Sequence, residues 1–171
     1  MKTSSTQMAH QEYLLKAGYI YLPVKPTIIS TVLGSSVSVG IYDRCRKIGG
    51  MNHFLFPVAH NKNKTTASYG NVAIITLIRM MQENGSRIVD MEAQIFGGAH
   101  NFKVSRRNVG NENITLAHRL LRKKGIRVVS QDVGGNLGRK VVFNTTTCEI
   151  VTLKVERLRD SDWFPYTDTG R

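Results

Sequence analysis

The chain has 171 residues, 41% hydrophobic and 21% charged, which are values of a folded domain rather than of a disordered chain. It carries 24 Lys and Arg against 12 Asp and Glu, a formal net charge of +12, so the partners it would attract are anionic: nucleic acid, acidic membrane or an acidic protein surface. No apolar run reaches the roughly 18 residues of a bilayer span, the opening MKTSSTQMAHQEY lacks the apolar stretch of a secretory signal, and Cys45 and Cys148 are too few for a disulfide framework; the expectation is a cytoplasmic protein with no direct membrane insertion.

The length suggests one domain over 1–171. Tyr19 to Val24 and Thr27 to Leu33 read as strands, punctuated by Pro23 and Pro26. Val37, Val39 and Ile41 then alternate with small residues, a period of two. Asp43 to Lys47 is a charged turn, and Met51 to Phe56 is the next strand, stopped by Pro57. His60 to Ser68 is polar and reads as a loop. Ile74, Leu77, Ile78 and Met81 follow helical spacing, with Gly85 as the terminator. Ile114, Ala117, Leu120 and Leu121 make a second helical stripe, closed by Arg122, Lys123 and Lys124 before Gly125. Further strands are expected over Ile88 to Phe96, Ile126 to Gln131, Lys140 to Phe143 and Ile150 to Val155, the last two pairing through Asn144 to Thr147. The tail from Asp160 shows no periodicity.

Many strands with two long helices predict an α+β domain of mixed β-sheets with the helices packed outside. The first four strands lack helical crossovers and are expected to be antiparallel neighbours.

The basic residues cluster at Arg44 to Lys47, Lys103 to Arg107, Arg119 to Lys124 and Arg157 to Arg159. They lack the interleaved aromatics of a nucleic-acid stacking platform, so no nucleic acid is expected as partner. Three Gly-bearing stretches stand out, Gly97-Gly98-Ala99, Asn108 to Asn111 and Asp132 to Asn136. None is a phosphate-binding fingerprint. They are either tight turns or a rim of loops around a site. His10, His60, His100 and His118 have no ligand spacing with acids or cysteines, so neither a metal nor a cofactor is expected.

One constellation suggests chemistry. Ser36 sits at the Gly34 turn into a strand, and His53 follows on the next strand. Antiparallel neighbours can bring two such side chains into contact, which is the minimal geometry of a His-activated nucleophile.

The stretches LGSSVSVGIYD (33–43), GGMNHFLFP (49–57), YGNVAIITLI (69–78), AQIFGGAHNF (93–102), NVGNEN (108–113) and QDVGGNLGRKVVF (131–143) occur in that order. In these motifs the chain resembles the chemoreceptor glutamine deamidases, the CheD family. The resemblance covers about 17–157, leaving 1–12 and 160–171 as expected tails. It implies an α+β sandwich shared with deamidating bacterial toxins, and an enzyme that converts glutamine to glutamate on methyl-accepting chemoreceptors. It also implies the chemotaxis phosphatase CheC as a second partner. In that family a Cys thiolate attacks the side-chain amide, a His activates it and a Thr orients the His. The matching positions here are Ser36 for the nucleophile, His53 for the base and Ser30 for the orienting group.

Ser36 stands where the family pattern has Cys. A thiol near pKa 8.5 can be a thiolate before substrate arrives, whereas a hydroxyl must lose its proton during attack. Well-known Ser–His pairs also have a carboxylate on the His, and Asp132 is only a remote candidate. Little or no hydrolysis by Ser36 is therefore expected. Three accounts stay open: an enzyme whose Cys has been replaced, a homologue that binds receptors or CheC without catalysis, and a serine hydrolase. Cys45 is expected at the far end of the strand, too distant to substitute.

Overall fold

A computed structural model describes residues 11–59, 61 and 65–156. Strands β1 (Gln11–Leu14), β2 (Tyr19–Tyr21), β3 (Thr27–Leu33), β4 (Val37–Asp43) and β5 (Ile48–Phe54) come first. Helix α1 (Gly70–Glu83), a short 3-10 turn (Ile88–Asp90), β6 (Met91–Gly97) and helix α2 (Val109–Lys123) follow. The described part closes with β7 (Arg127–Val133), β8 (Gly138–Asn144) and β9 (Ile150–Val155).

The strands form two mixed sheets, one ordered β1-β3-β8-β9 and the other β2-β5-β4-β6-β7. Three layers result. Ile29, Leu33, Val141 and Phe143 of the first sheet meet Tyr42, Met51 and Phe96 of the second. The other face of the second sheet presents Val37, Val39, Ile41 and Phe54 to Ala73, Ile74 and Leu77 of α1 and Ala117 and Leu121 of α2. The expected α+β sandwich with outer helices is the observed architecture.

Helix α2 begins on a side-chain cap, and both helices end on glycine turns. Asn108 caps α2 by accepting from the Asn111 N–H at 2.9 Å. Gly85 (φ +89°) and Gly125 (φ +73°) take the left-handed turn after each helix. In each case the following residue's N–H returns to the helix, Ser86 to Met81 and Ile126 to Leu121, at 3.0 Å.

The structure corrects the expected strand pairing. Among the first four expected strands, β4 with β5 and β2 with β5 are antiparallel neighbours as expected, but β3 pairs with none of the others. β3 lies in the other sheet against β8 and runs parallel to β1. The connection from β3 to β4 crosses between sheets at Gly34 to Ser36. β1 is not expected from the sequence, and it begins inside the stretch expected as a tail. β6 starts at Met91 rather than Ile88, because Ile88–Asp90 coils into the 3-10 turn, with Asp90 paired to Arg87 at 2.6 Å. β8 and β9 pair antiparallel as expected. His10, His60, the tail from Asp160 and the Arg157 to Arg159 cluster lie outside the described residues.

Candidate active site

β3 and β5 belong to different sheets, and their inner faces look at each other across the sandwich. Strand side chains alternate between faces, so Thr31 shares the inner face of β3 with Ile29 and Leu33. His53 shares the inner face of β5 with Met51. Ser36 ends the crossover between the sheets, one residue before the ladder that pairs Val37 with Phe54. The fold thereby brings a hydroxyl, an imidazole and a second hydroxyl to one place from three segments.

Their hydrogen bonds have one consistent direction. Thr31 donates its hydroxyl proton to the Leu15 carbonyl at 2.7 Å. Its oxygen lies 2.9 Å from His53 Nδ1, and with its proton already used it can only accept there. Nδ1 therefore carries the ring proton and Nε2 is the acceptor. Ser36 Oγ lies 2.8 Å from Nε2 and donates to it. This tautomer is the one a general base needs.

The site is dry. His53 is 2% and Ser36 7% exposed. Burial penalises the imidazolium and lowers the His53 pKa to about 4, while the Leu15 carbonyl opposes the shift. His53 is thus a neutral acceptor at neutral pH.

The sequence expectations fare unequally. Ser36 and His53 are brought together. Ser30 is not at Nδ1: it is the preceding residue on β3 and points to the opposite face, and Thr31 occupies that place. Asp132 is also elsewhere. It binds Arg139 at 3.0 Å and Lys154 at 3.4 Å. Cys45 sits in the β4–β5 turn against Asp90, at the opposite end of β4 from Ser36. Among the described residues no group of acids, cysteines and histidines could hold a metal ion.

The three Gly-bearing stretches converge behind Ser36. The Gly98 N–H binds the Ser36 carbonyl at 2.8 Å, and the Ala99 N–H binds that of Gly34 at 2.9 Å. The Gly134 N–H binds the Gly97 carbonyl at 2.9 Å, and the His100 N–H binds that of Gly135 at 2.8 Å. A Cβ at Gly110 would stand 2.4 Å from the Gly98 carbonyl oxygen. These glycines therefore hold the turn rather than bind phosphate.

Sequence reasoning assigned no role to Asn113, which lies in the same region. This fully buried residue donates to the carbonyls of Leu55 at 2.9 Å and Ser35 at 3.2 Å. A cleft of about 300 Å³ opens beside the turn, lined by Gly34, Ser35, His100, Arg107 and Asn136 among others. Neither Ser36 nor His53 lines it, so it is a neighbouring groove and not the reaction centre.

Comparison with known proteins agrees with the motifs. Residues 55–154 match the family model described as CheD chemotactic sensory transduction. That stretch begins two residues after His53, so the match stands apart from the Ser36–His53 pair. Three relatives are named as probable chemoreceptor glutamine deamidases CheD. The one from Sulfurimonas denitrificans is 39% identical over 90 residues, 53% of this chain and 58% of the relative. The one from Anaeromyxobacter dehalogenans is 43% identical over 132 residues, 76% of this chain and 77% of the relative. That from Trichlorobacter lovleyi is 36% identical over 139 residues, 80% of this chain and 86% of the relative. With more than half of its length matched by the family model and its fold in agreement, the chain belongs to the CheD family.

Proposed function

We propose that this protein is an amide hydrolase of the glutamine-deamidase type, acting on the glutamine side chains of chemoreceptors, with Ser36 as nucleophile, His53 as base and Thr31 as orienting group. The observation that carries this reading is the directed chain from Ser36 through His53 and Thr31 to the Leu15 carbonyl. It leaves the nucleophile's proton aimed at a free lone pair.

In the reaction, Ser36 Oγ attacks the side-chain amide carbon while its proton passes to His53 Nε2. The tetrahedral species collapses as the imidazolium gives that proton to the departing nitrogen, and ammonia leaves. The resulting ester is hydrolysed by water, with His53 again taking the proton, and a glutamate remains on the substrate. The near-complete burial of Ser36 suits a single side chain entering from a helix surface. The net charge of +12 favours encounter with acidic, Glu- and Gln-rich receptor helices. The same reading carries a cytoplasmic location. CheC is the second partner this family reading carries.

A second reading has a specific observation behind it. A base near pKa 4 is poorly matched to removing a proton from a hydroxyl at neutral pH, and among the described residues no carboxylate supports the ring. A chain with this site can bind receptors or CheC while turning over slowly. A thiol at the same position would instead form an ion pair with His53 before substrate arrives.

The test is ammonia release from a receptor signalling fragment. Ser36→Cys is expected to exceed the unmodified chain by about 100-fold or more, and adding His53→Ala is expected to remove the gain, in line with the usual size of base catalysis. Turnover by the unmodified chain that Ser36→Ala abolishes would establish a serine deamidase. Silence in every variant, with the fragment still bound, would leave binding as the function.

A further inference from the structure

We propose that Asn113 is a positioning residue that sets the distance between Ser36 and His53. The proposal rests on reading those two as a nucleophile–base pair.

The crossover from β3 to β4 is the weak point of the site. The β4–β5 ladder starts only at Val37 opposite Phe54, so Ser36 lies just outside it. The Ser36 carbonyl is held from one side by the Gly98 N–H. Asn113 holds the other side. Its single NH2 group donates both protons, one to the carbonyl of Ser35 and one to that of Leu55. Ser35 immediately precedes the nucleophile. Leu55 follows the end of β5, two residues after His53. One planar amide therefore ties the backbone on either side of the pair, and its length fixes their separation.

The rest of Asn113 has the mark of a functional residue. It is fully buried on the face of α2 that also carries Leu116, Ala117 and Leu121. Its Oδ1 atom is buried with no hydrogen-bond partner among the described residues. An apolar residue would avoid that penalty at a helix–sheet contact, so packing alone does not select an asparagine here. Two carbonyl acceptors also fix which way the amide faces, since Oδ1 toward either would be repulsive. α2 itself is seated rigidly, because Gly110 lies against Gly98 with no room for a side chain.

The experiment uses the Ser36→Cys chain and follows its alkylation by iodoacetamide from pH 5 to 10, with peptide mapping to separate Cys45 and Cys148. A thiol paired with His53 is expected to react with a midpoint well below the ordinary value near 8.5. Adding Asn113→Ala is expected to move that midpoint up and to slow alkylation near pH 6.5 by about tenfold or more. Reaction at Cys45, remote from the site, should not change. In a His53→Ala background, Asn113→Ala should have no further effect. Asn113→Ser, which retains one short donor, should fall between.

An unchanged rate and midpoint in folded Asn113→Ala and Asn113→Ser would overturn the proposal. So would an equal slowing without His53, or failure of both variants to fold, which would make Asn113 a structural residue. Because alkylation needs no receptor, it also separates the two ideas. Absent ammonia release with an Asn113-dependent midpoint would sink the deamidase reading and leave the positioning role standing.

Discussion

A hydroxyl, not a carboxylate, holds the His53 ring, and the consequence is measurable. Thr31 accepts from Nδ1 because its own proton is committed to Leu15. Thr31→Val keeps the shape, removes that acceptor, and lets the ring adopt the tautomer whose Nε2 carries the proton. In the Ser36→Cys chain, kcat for ammonia release is expected to fall about 10- to 100-fold with KM for the receptor fragment little changed, the pattern of a lost orienting partner. Ser30→Ala on the outer face is expected to leave kcat within about twofold. The reverse ranking would restore Ser30 as the orienting group. Ser36 and His53 are legible in the sequence because a turn followed by two strands constrains what can touch. The orienting residue is placed one position early by the family resemblance, which implies Ser30. A slip of one residue in a strand turns a side chain to the other face, and matching Ser30 to the family position takes no account of that parity. Ile29 and Leu33, both fully buried, carry the missing signal: whatever lies between them at position 31 shares the inner face. Asn113 leaves no such signal, because its partners are backbone carbonyls whose positions depend on tertiary structure.

The elements around the site are held by close backbone approaches rather than by side-chain volume. Gly97 shows this best. Its φ is +101°, and a Cβ there would stand 2.3 Å from the Ser36 carbonyl oxygen. Gly97→Ala must therefore either strain its own backbone or push the nucleophile turn away from β6. The expected cost is more than about 2 kcal/mol in urea unfolding, from backbone strain with the clash added. Gly134 separates the two contributions. Its φ of +73° is also left-handed, but no described residue lies within 4 Å of the added Cβ. Gly134→Ala should cost only about 1 kcal/mol and spare the site. Equal destabilisation by the two would mean that proximity to Ser36 is irrelevant. The same glycines explain what the sequence does not reveal about the fold. Period-two and helical patterns identify β4 and both helices, since Val37, Val39 and Ile41 fall on one face of the strand and the stripes of α1 and α2 pack against it. Pairing is another matter. Gly34 to Ser36 looks like an ordinary turn, which makes neighbours of β3 and β4, yet the chain changes sheet there. β1 escapes notice because a four-residue edge strand with a mostly exposed face has no apolar alternation to read. Its importance lies at its C-terminal end, where the next residue, Leu15, supplies the carbonyl that ends the hydrogen-bond chain.

On the scale of the whole molecule, the site makes stability depend on pH in a window of its own. In the unfolded chain His53 titrates near 6.5, but burial lowers it to about 4 in the fold. Between those values the unfolded chain binds a proton that the folded chain does not, so acidification favours unfolding. Nothing is lost above about 6.5. The full loss, reached below 4, is about 3 kcal/mol, and most of it has accrued by about pH 4.5. The paired carboxylates act in a lower range. Burial alone would raise Glu92, but hydrogen bonds from Arg127 and Arg44 outweigh it and hold its pKa below the ordinary value. Asp132 is lowered in the same way against its own burial, by Arg139 and Lys154. Groups of this kind contribute fully above their unfolded values near 4 and lose that contribution only as pH falls further. Urea midpoints between about pH 7 and 4.5 therefore read His53 largely apart from Glu92 and Asp132. The expected result is a decline of about 2 to 3 kcal/mol across that interval for the unmodified chain, and a nearly flat line for His53→Gln. A variant that declines more steeply than the parent would show that His53 is protonated in the fold at neutral pH, its pKa raised by folding rather than lowered. Nε2 would then be a donor toward Ser36, and the direction of proton transfer derived from Thr31 and Leu15 would fall with it.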